Sequence, residues 1–348
     1  MSKKLKIVFI GGHQRTIKTF KELIKRKDIE IIFFIIQKDY KNEFKHYLEL
    51  KKLAIKNKIS YVLTESSKKL KNSIVKKVQK ISPDVILRGG NWRAMLPPEI
   101  WNTAKYGCIG LHGSSLPKYR GWAGINWHLI NGEKQYGLQM FRFNKSIDDG
   151  DLVYRKNGSS LSKKISLNNK LSISQILEKV DFEHVRLIME LVSLLKFNKI
   201  KFKKQNISRQ TWTCHRGPED GQIDWKQNTT SIYNFIRGQS YPFPGAFTFY
   251  KSKKLYIWNS EIKKKTPKYV GRIPGKIINI NKENGTAEVL TGDGVLIIKE
   301  VTYGREKYHP LKRFQFRKLA NNYLNSVREK LGLNIYEELI KLKKKYKN

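Results

Sequence analysis

The sequence predicts an α/β protein: a mostly parallel, Rossmann-like sheet with helices on both faces, a small C-terminal antiparallel β-barrel of the OB-like type, and a helical tail. Three observations predict this class. In the first half of the chain, continuous apolar runs alternate with amphipathic helical segments, a pattern typical of buried parallel strands. In the second half, short apolar runs lie between turn residues. The last segment returns to helical spacing.

The elements of the first half follow one another in strand–helix order. "LKIVFIGG" indicates a buried first strand, and "RTIKTFKELIKRK" places Ile17, Phe20 and Ile24 at helical spacing. Further strands are predicted in "IEIIFFIIQ", "ISYVLT", "PDVILRGG" and "GCIGLHGS", with helices in "FKHYLELKKLAIKN" and "LKNSIVKKVQKI" between them. A long helix is predicted over residues 171–198, because apolar residues such as Ile176 and Val180 form one face.

We expect three regions along the chain. A catalytic domain is predicted at residues 1–200 and a β-barrel domain at residues 201–305. A basic helical tail is predicted at residues 306–348. The first boundary lies at the basic segment "NKIKFKKQNISRQ", after which short strands such as "KLYIWNSEI" and "GVLIIKEV" alternate with turn residues.

The composition limits the classes of function. The formal net charge of +41 fits a phosphate-bearing partner, but lysines spread along the whole chain also fit a general lysine bias. The two cysteines stand far apart, which indicates reduced thiols rather than a disulfide or a zinc site. The first apolar run is too short for a signal peptide or a membrane span. We therefore expect a cytoplasmic protein without membrane insertion.

The candidate chemistry centres on one histidine. His112 ends the predicted strand "GCIGLHGS", at the sheet edge where α/β proteins bind ligands. The turn "SIDDGDLV" supplies Asp148 and Asp149. A carboxylate beside an imidazole raises its pKa and fixes its tautomer, an arrangement that moves protons. Neither a covalent nucleophile nor a metal-ligand spacing is evident, so the residues favour a non-covalent, metal-free group transfer.

The stretch "HGSSLPKYRGWAGINWHLINGEKQYGLQMF", followed by "DDGDLV", resembles the folate-dependent formyltransferases. These enzymes move a formyl group from N10-formyltetrahydrofolate to an amine. "RGPEDGQIDWKQNTTSIYNFIRGQSYPFPGAFTF" is similar to the C-terminal barrel domain of that family. The resemblance implies that His112 and Asp148 are the catalytic residues.

The resemblance also implies which residues contact the donor and the acceptor. "GGNWRAML" lies where the family builds its pterin pocket, so Asn91, Trp92, Arg93 and Met95 are candidates for folate contact, although Trp92 and Met95 also suit a core. The loop at Asp149 borders the pterin. Ser115, Leu116 and Pro117 are expected to form the wall beside the formyl group. Tyr119 and Arg120 are candidates for binding the acceptor, because guanidinium groups suit phosphate.

One position departs from the family pattern. The family has an asparagine two residues before the histidine, whose amide holds the developing oxyanion, and this chain has Gly110. Losing such a donor costs on the order of 10²–10³ in rate. Three explanations stay open: another donor (Asn91, a serine at 114–115 or a water), charged His112 acting alone, or a weakened enzyme that has become a folate- or sugar-binding protein.

The acceptor amine has two candidates. The tRNA branch of the family carries a glycine- and lysine-rich loop after the second strand, whereas "QKDYKNEFKHYLELKK" continues directly into a helix. The chain is therefore more similar to the branch that formylates nucleotide-linked amino sugars for cell-surface polysaccharide, including lipopolysaccharide biosynthesis. Methionyl-tRNA is the alternative, supported by the high positive charge. A homodimer is expected by analogy.

Overall fold

The computed structural model describes residues 3–41, 43–65, 70–93, 95–168, 171–250 and 253–303. Contacts divide the chain into two compact units. The first comprises the chain up to Gly124, Gln135–Ser166 and Leu177–Cys214, and the second comprises Ile125–Lys134, Leu167–Ile176 and the chain from His215. The domain limits predicted from the sequence stay a prediction, and the predicted tail at 306–348 lies outside the described residues.

The described elements alternate between strand and helix in the first half of the chain. The strands are β1 (Leu5–Gly11), β2 (Ile29–Gln37), β3 (Tyr61–Thr64), β4 (Val85–Arg88), β5 (Cys108–His112), β6 (Arg120–Gly121), β7 (Gln135–Arg142), β8 (Leu152–Arg155), β9 (Ser162–Ser166), β10 (Ile200–Lys203), β11 (Trp212–Thr213), β12 (Ala246–Tyr250), β13 (Lys253–Ile262), β14 (Ile277–Asn281), β15 (Thr286–Leu290) and β16 (Val295–Thr302). The helices are α1 (His13–Leu23), α2 (His46–Lys56), α3 (Asn72–Ile81), α4 (Pro98–Trp101), α5 (Gly124–Ile130), α6 (Ile173–Lys196) and α7 (Thr229–Gln239). Within the described part of the chain, no helix has both the length and the apolar composition needed to cross a membrane.

The first unit contains a mixed sheet with the order β10-β8-β7-β5-β4-β1-β2-β3, and β9 also pairs with β7. Strands β3, β2, β1, β4 and β5 are parallel, which confirms the predicted parallel sheet. Strands β7 to β10 extend it by antiparallel pairing. The sequence does not predict this extension, because β9 ("SKKIS") and β10 ("IKFK") are short, lysine-rich and lack an apolar run.

Helices cover both faces of the parallel strands, as predicted. Val8 and Ile10 of β1 lie in one buried cluster with Ile74 of α3. Phe9 lies between them in sequence, and its ring centroid is 5.8 Å from that of Phe20 in α1. Since successive side chains of a strand point to opposite faces, α3 and α1 pack on opposite sides of β1.

The second unit contains an antiparallel sheet with the order β12-β13-β16-β15-β14. Its core includes Trp225, Ile236 of α7, Ile257 of β13 and Leu296 of β16. The predicted antiparallel sheet after the basic segment is thus confirmed. Among the described residues the sheet runs from β12 at one end to β14 at the other.

We expect Phe20→Ala to lower the free energy of unfolding by about 3–5 kcal/mol. Phe20 is fully buried, and its ring centroid lies 5.0 Å from that of Phe34 in a stacked arrangement, so truncation leaves a cavity between helix and sheet. Urea unfolding followed by circular dichroism measures the loss. Phe182→Ala is the matched control, because Phe182 is 69% exposed and its loss is expected within about 0.5 kcal/mol. Equal losses in both variants would contradict this account of the core.

Candidate active site

The carboxyl ends of β4 and β5 meet at one edge of the sheet, because the two strands are parallel neighbours. β4 ends at Arg88 and β5 ends at His112. Beyond this edge lies a cleft of about 270 Å³, whose lining includes Arg88, Asn91, Trp92, Arg93, His112 and His184. This volume is at the lower end of the range for small-molecule sites.

His112 and Asp148 lie side by side at this edge. Nδ1 of His112 is 3.3 Å from Oδ2 of Asp148, and Nε2 is 2.8 Å from the carbonyl oxygen of Tyr119. The backbone N–H of Gly121 donates to the same carboxylate oxygen of Asp148 at 3.0 Å. The structure thus brings together the two residues that the sequence predicts to be catalytic.

The side-chain amide of Gln205 holds the loop that carries Asp148. Asp148 has a φ of 51°, a conformation that a residue with a side chain adopts only when its surroundings hold it there. The side-chain amide of Gln205 donates to the carbonyl oxygens of Asp148 and Gly150, at 2.8 Å and 2.7 Å. Arg120 in turn donates to the oxygen of Gln205 at 2.8 Å. The carboxylate therefore has a fixed position relative to the imidazole.

Burial sets the protonation state of His112. Desolvation lowers the pKa of His112 from its usual value of 6.5, and Arg88 and Arg120 lower it further. Asp148 and the carbonyl of Tyr119 raise it, but by less. The prediction that Asp148 raises the pKa of His112 agrees with the direction of that interaction, and burial sets the net direction. The lowered pKa favours the neutral imidazole, which is the form that accepts a proton.

The side chain of Arg88 fills the space beside Gly110. A Cβ atom placed on Gly110 would lie 2.9 Å from both Cβ and Nε of Arg88, and 3.0 Å from the ring of Phe143. One end nitrogen of the guanidinium donates to the carbonyl of Leu111. Nε of Arg88 is buried without a hydrogen-bond partner among the described residues. The position where the family has an amide thus has a cationic donor next to it.

Arg88 is not a residue that the sequence alone singles out. It ends a predicted apolar strand, where a long cationic side chain usually turns to solvent. Instead its guanidinium lies over the ring of Phe143, 4.6 Å from the centroid. Burial lowers the pKa of Arg88, while Asp148 acts to raise it. The feature of the sequence that could have identified Arg88 is an arginine at the end of β4 combined with a glycine in the neighbouring strand β5.

His184 is a second residue of the cleft that sequence reasoning does not identify. It lies on α6 with 3% of its surface exposed, and its Nε2 is 3.2 Å from the carbonyl oxygen of Gly89. Burial, together with Arg15 and Arg88, holds the pKa of His184 well below 6.5, so the ring is neutral. The signal in the sequence was a histidine on the apolar face of the long predicted helix.

Three of the four predicted folate contacts line the cleft: Asn91, Trp92 and Arg93. Nε1 of Trp92 is buried without a hydrogen-bond partner in the described structure, which leaves a donor for a ligand. The guanidinium of Arg93 is engaged by Glu43 in a two-point ion pair at 2.7 and 2.8 Å. Met95 is 51% exposed and is not part of the cleft lining.

The predicted wall of residues 115–117 is only partly supported. Ser115 is exposed and Pro117 is half-buried. Leu116 packs in a buried cluster with Phe141 and Leu152, and its predicted contact with the formyl group stays a prediction. Asp149 is half-buried, and its Oδ1 is buried without a hydrogen-bond partner in the described part of the chain.

The two predicted acceptor contacts have different surroundings. Tyr119 has a φ of 57°, and its carbonyl faces His112. Arg120 is 2% exposed, and its guanidinium donates to Gln210 and Gln205 at 2.7 and 2.8 Å. Arg120 is therefore enclosed by two amides, of which Gln205 holds the Asp148 loop, and its predicted contact with the acceptor stays a prediction.

Comparison with known proteins defines the class of this fold and site. The family model "Formyl transferase" matches residues 5–188, and "Formyl transferase, C-terminal domain" matches residues 217–315. The chain belongs to the formyl transferase family.

Particular relatives extend this result. The methionyl-tRNA formyltransferase of Clostridium novyi (strain NT) is 28% identical over 90% of this chain and 96% of its own length. The bifunctional polymyxin resistance protein ArnA of Wigglesworthia glossinidia brevipalpis is 32% identical over 70% of this chain, which spans 35% of that protein. An N-formyltransferase from Helicobacter canadensis, solved with folinic acid and dTDP-3-aminofucose, superposes with a TM-score of 0.59 at 16% identity, covering 86% of this chain and 100% of its own.

We expect the imidazole of His112 to become protonated only below pH 6.5. Its ring signals can be followed by NMR and assigned with a His112→Gln variant. Asp148→Asn should lower the midpoint further, because the carboxylate is the main group that raises it. Since the unfolded chain binds this proton more readily, the free energy of unfolding should fall as the pH drops through about 6.5. A midpoint above 6.5, or one that Asp148→Asn leaves in place, would contradict this electrostatic picture.

Proposed function

We propose that this protein transfers a formyl group from 10-formyltetrahydrofolate to the amine of a nucleotide-linked amino sugar, for the synthesis of cell-surface polysaccharide. The observation that carries the proposal is the His112–Asp148 pair, 3.3 Å apart, at the cleft of a formyl transferase fold. The donor supplies an activated one-carbon unit. Asn91 and Trp92 are the candidates to hold its ring system, since the Nε1–H of Trp92 has no hydrogen-bond acceptor among the described residues.

Proton transfer by His112 is the central step of the proposal. Asp148 accepts from Nδ1–H and so leaves Nε2 free of a proton, as a general base. In the structure Nε2 lies 2.8 Å from the carbonyl oxygen of Tyr119, so the amine has to displace that carbonyl from Nε2 before its proton can be transferred. The amine nitrogen bonds to the formyl carbon while His112 takes its proton. The bond from that carbon to N10 then breaks, and His112 returns the proton to N10.

Covalent catalysis through a thiol has no support in this site. Cys108 begins β5, the strand that His112 ends, and burial raises the pKa of its thiol to about 12. The group is therefore protonated at neutral pH, whereas a nucleophilic cysteine requires the thiolate. Direct attack by the amine is the route that fits the residues present.

Arg88 is the group that we assign to the developing oxyanion. The guanidinium occupies the space beside Gly110, and its buried Nε lacks a partner. A charged donor in a half-buried site stabilises a developing negative charge more strongly than a neutral amide does. In this proposal Arg88 takes over the role of the asparagine that the family has at position 110. This assignment replaces the expectation that Asn91 or a serine of residues 114–115 supplies the donor.

The segment between β2 and α2 favours a small acceptor over tRNA. In the tRNA branch this segment is expected to be a flexible, glycine-rich basic loop. Here Arg93 holds Glu43 in a two-point ion pair, and Asp39 accepts from the backbone N–H of Tyr47 at 3.0 Å. The Helicobacter canadensis enzyme bound to dTDP-3-aminofucose also supports the sugar. The methionyl-tRNA formyltransferase that aligns over 90% of the chain supports tRNA as the second candidate.

Purified protein incubated with 10-formyltetrahydrofolate should formylate a member of a panel of nucleotide-linked amino sugars and leave charged methionyl-tRNA unmodified. Mass spectrometry of both acceptors measures this. His112→Gln should lower kcat by roughly 10²–10⁴, the range for losing a general base. His215→Gln is the matched control, because His215 is exposed. Formylated tRNA with unmodified sugars would establish the second candidate, and folate binding without any turnover would establish a binding protein.

Arg88→Ala should lower kcat by about 10²–10³, as for other lost oxyanion donors, with little change in KM. Gly110→Asn alone should give no gain, because its Cβ would lie 2.9 Å from Arg88. The double variant Arg88→Ala/Gly110→Asn should recover at least about tenfold over Arg88→Ala, since the amide then has room. Arg186→Ala, at an arginine side chain that is 45% exposed, is the control. Full kcat in Arg88→Ala, in protein shown to be folded by circular dichroism, would overturn the assignment.

A further inference from the structure

Three side chains from separate segments converge beside the cleft, at the carboxyl ends of β1 and β2. His13 begins α1, Asp39 follows β2, and His46 begins α2. Nδ1 of His13 lies 3.2 Å from Oδ1 of Asp39, and Nδ1 of His46 lies 3.5 Å from the same oxygen. The three atoms all lie within 4.8 Å of one another. β1 and β2 are parallel neighbours, which is why these ends meet.

Two of the three atoms make no hydrogen bond within the described structure. The side chain of Asp39 has no exposed surface, and its Oδ1 has no hydrogen bond within the described structure. Nδ1 of His46 is likewise buried and unbonded there. A buried carboxylate oxygen without a partner is costly. The cluster therefore contains potential metal-ligand atoms that lie close together and make no hydrogen bond in the described structure.

The charges around the cluster suit a cation. A carboxylate and two imidazoles make up the cluster, and an imidazole is neutral when it binds a metal ion. The nearby Arg93 is paired with Glu43 at 2.7 Å, which offsets its charge. Asp39 then leaves the site with a net negative charge. Its second oxygen accepts from Tyr47 N–H at 3.0 Å, and this bond aims Oδ1 at the two rings.

We propose that His13, Asp39 and His46 form a binding site for a divalent transition metal ion, with Zn²⁺ as the best-fitting ion. Ligand atoms about 2.1 Å from a tetrahedral ion lie about 3.4 Å apart, and two of the three separations are 3.2 and 3.5 Å. Two imidazoles and one carboxylate suit zinc, whereas magnesium and calcium prefer oxygen ligands. The site is separate from His112 and does not depend on the proposed reaction.

The two histidine rings of the cluster reach the surface. The side chains of His13 and His46 are 18% and 21% exposed, so an ion has an entry path. The sequence-based expectation of no metal rests on the absence of a short ligand motif. It does not cover these residues, because the three ligands come from the ends of different elements. In the bound state the ion would tie α1, α2 and the end of β2 together at the sheet edge.

Chelator-treated, untagged full-length protein should bind one Zn²⁺ per chain by isothermal titration, and Co²⁺ should give a visible absorption band typical of tetrahedral coordination. Bound Zn²⁺ should raise the melting temperature, because it binds only the folded chain. Asp39→Asn and His46→Gln should each weaken binding by more than about 100-fold, beyond the loss that outer-shell changes cause. His215→Gln is the matched histidine control and should bind as the wild type does.

Two results would overturn the proposal. One is wild-type protein that binds neither Zn²⁺ nor Co²⁺ at micromolar concentration. The other is binding that Asp39→Asn and His46→Gln leave unchanged. Because Asn has nearly the shape of Asp, Asp39→Asn is expected to fold, and circular dichroism checks this. If it does not fold, the Co²⁺ spectrum of His46→Gln decides alone. Formyl transfer is measured on the metal-free and the Zn²⁺-loaded protein, so failure of the site is distinguished from failure of the proposed reaction.

Discussion

The parallel pairing of β4 with β5 is the constraint on which the site depends. Leu87 pairs with Ile109 in this ladder, so the next residues along each strand, Arg88 and Gly110, lie side by side at the carboxyl edge. A large side chain on one strand at this level requires a small one on the other. Steric packing between positions 88 and 110 therefore limits which of the two residues can supply the proposed oxyanion donor. His112 ends the same strand, which places the base and the proposed donor on one rim.

The electrostatics of that rim follow from burial. His112 is enclosed by one carboxylate, Asp148, and by two guanidinium groups, Arg88 and Arg120, which lower its pKa. A buried charged imidazole beside two cations would be unfavourable, so the ring rests neutral. Asp148 offsets part of this field and selects the tautomer. In the proposed reaction, the two cations keep His112 neutral and able to accept a proton, and they also favour the negative charge that develops on the formyl oxygen.

The sequence predicts those features whose signal is local. The apolar runs of β1 to β5, the face of α6, and the position of His112 at a strand end are all visible without coordinates. The lysine-rich strands β9 and β10 and the net pKa of His112 are not, because they depend on which elements pack together. Arg120 illustrates the limit. An arginine in a loop suggests phosphate, and only the structure reveals that Gln205 and Gln210 enclose it.

Unmet polar groups concentrate at the same edge of the first unit. Buried polar atoms nearly always have partners in folded proteins, yet Nε of Arg88, Nε1 of Trp92 and Oδ1 of Asp39 lack them within the described residues. All three lie at or just beyond the carboxyl ends of parallel strands. The core beneath them, built from rings such as Phe9 and Phe34, is apolar and fully buried. That core supplies stability that can offset unsatisfied groups at the rim. A fold arranged in this way retains polar atoms that can bind what we propose for this edge: the reacting oxygen, the donor ring system and a metal ion.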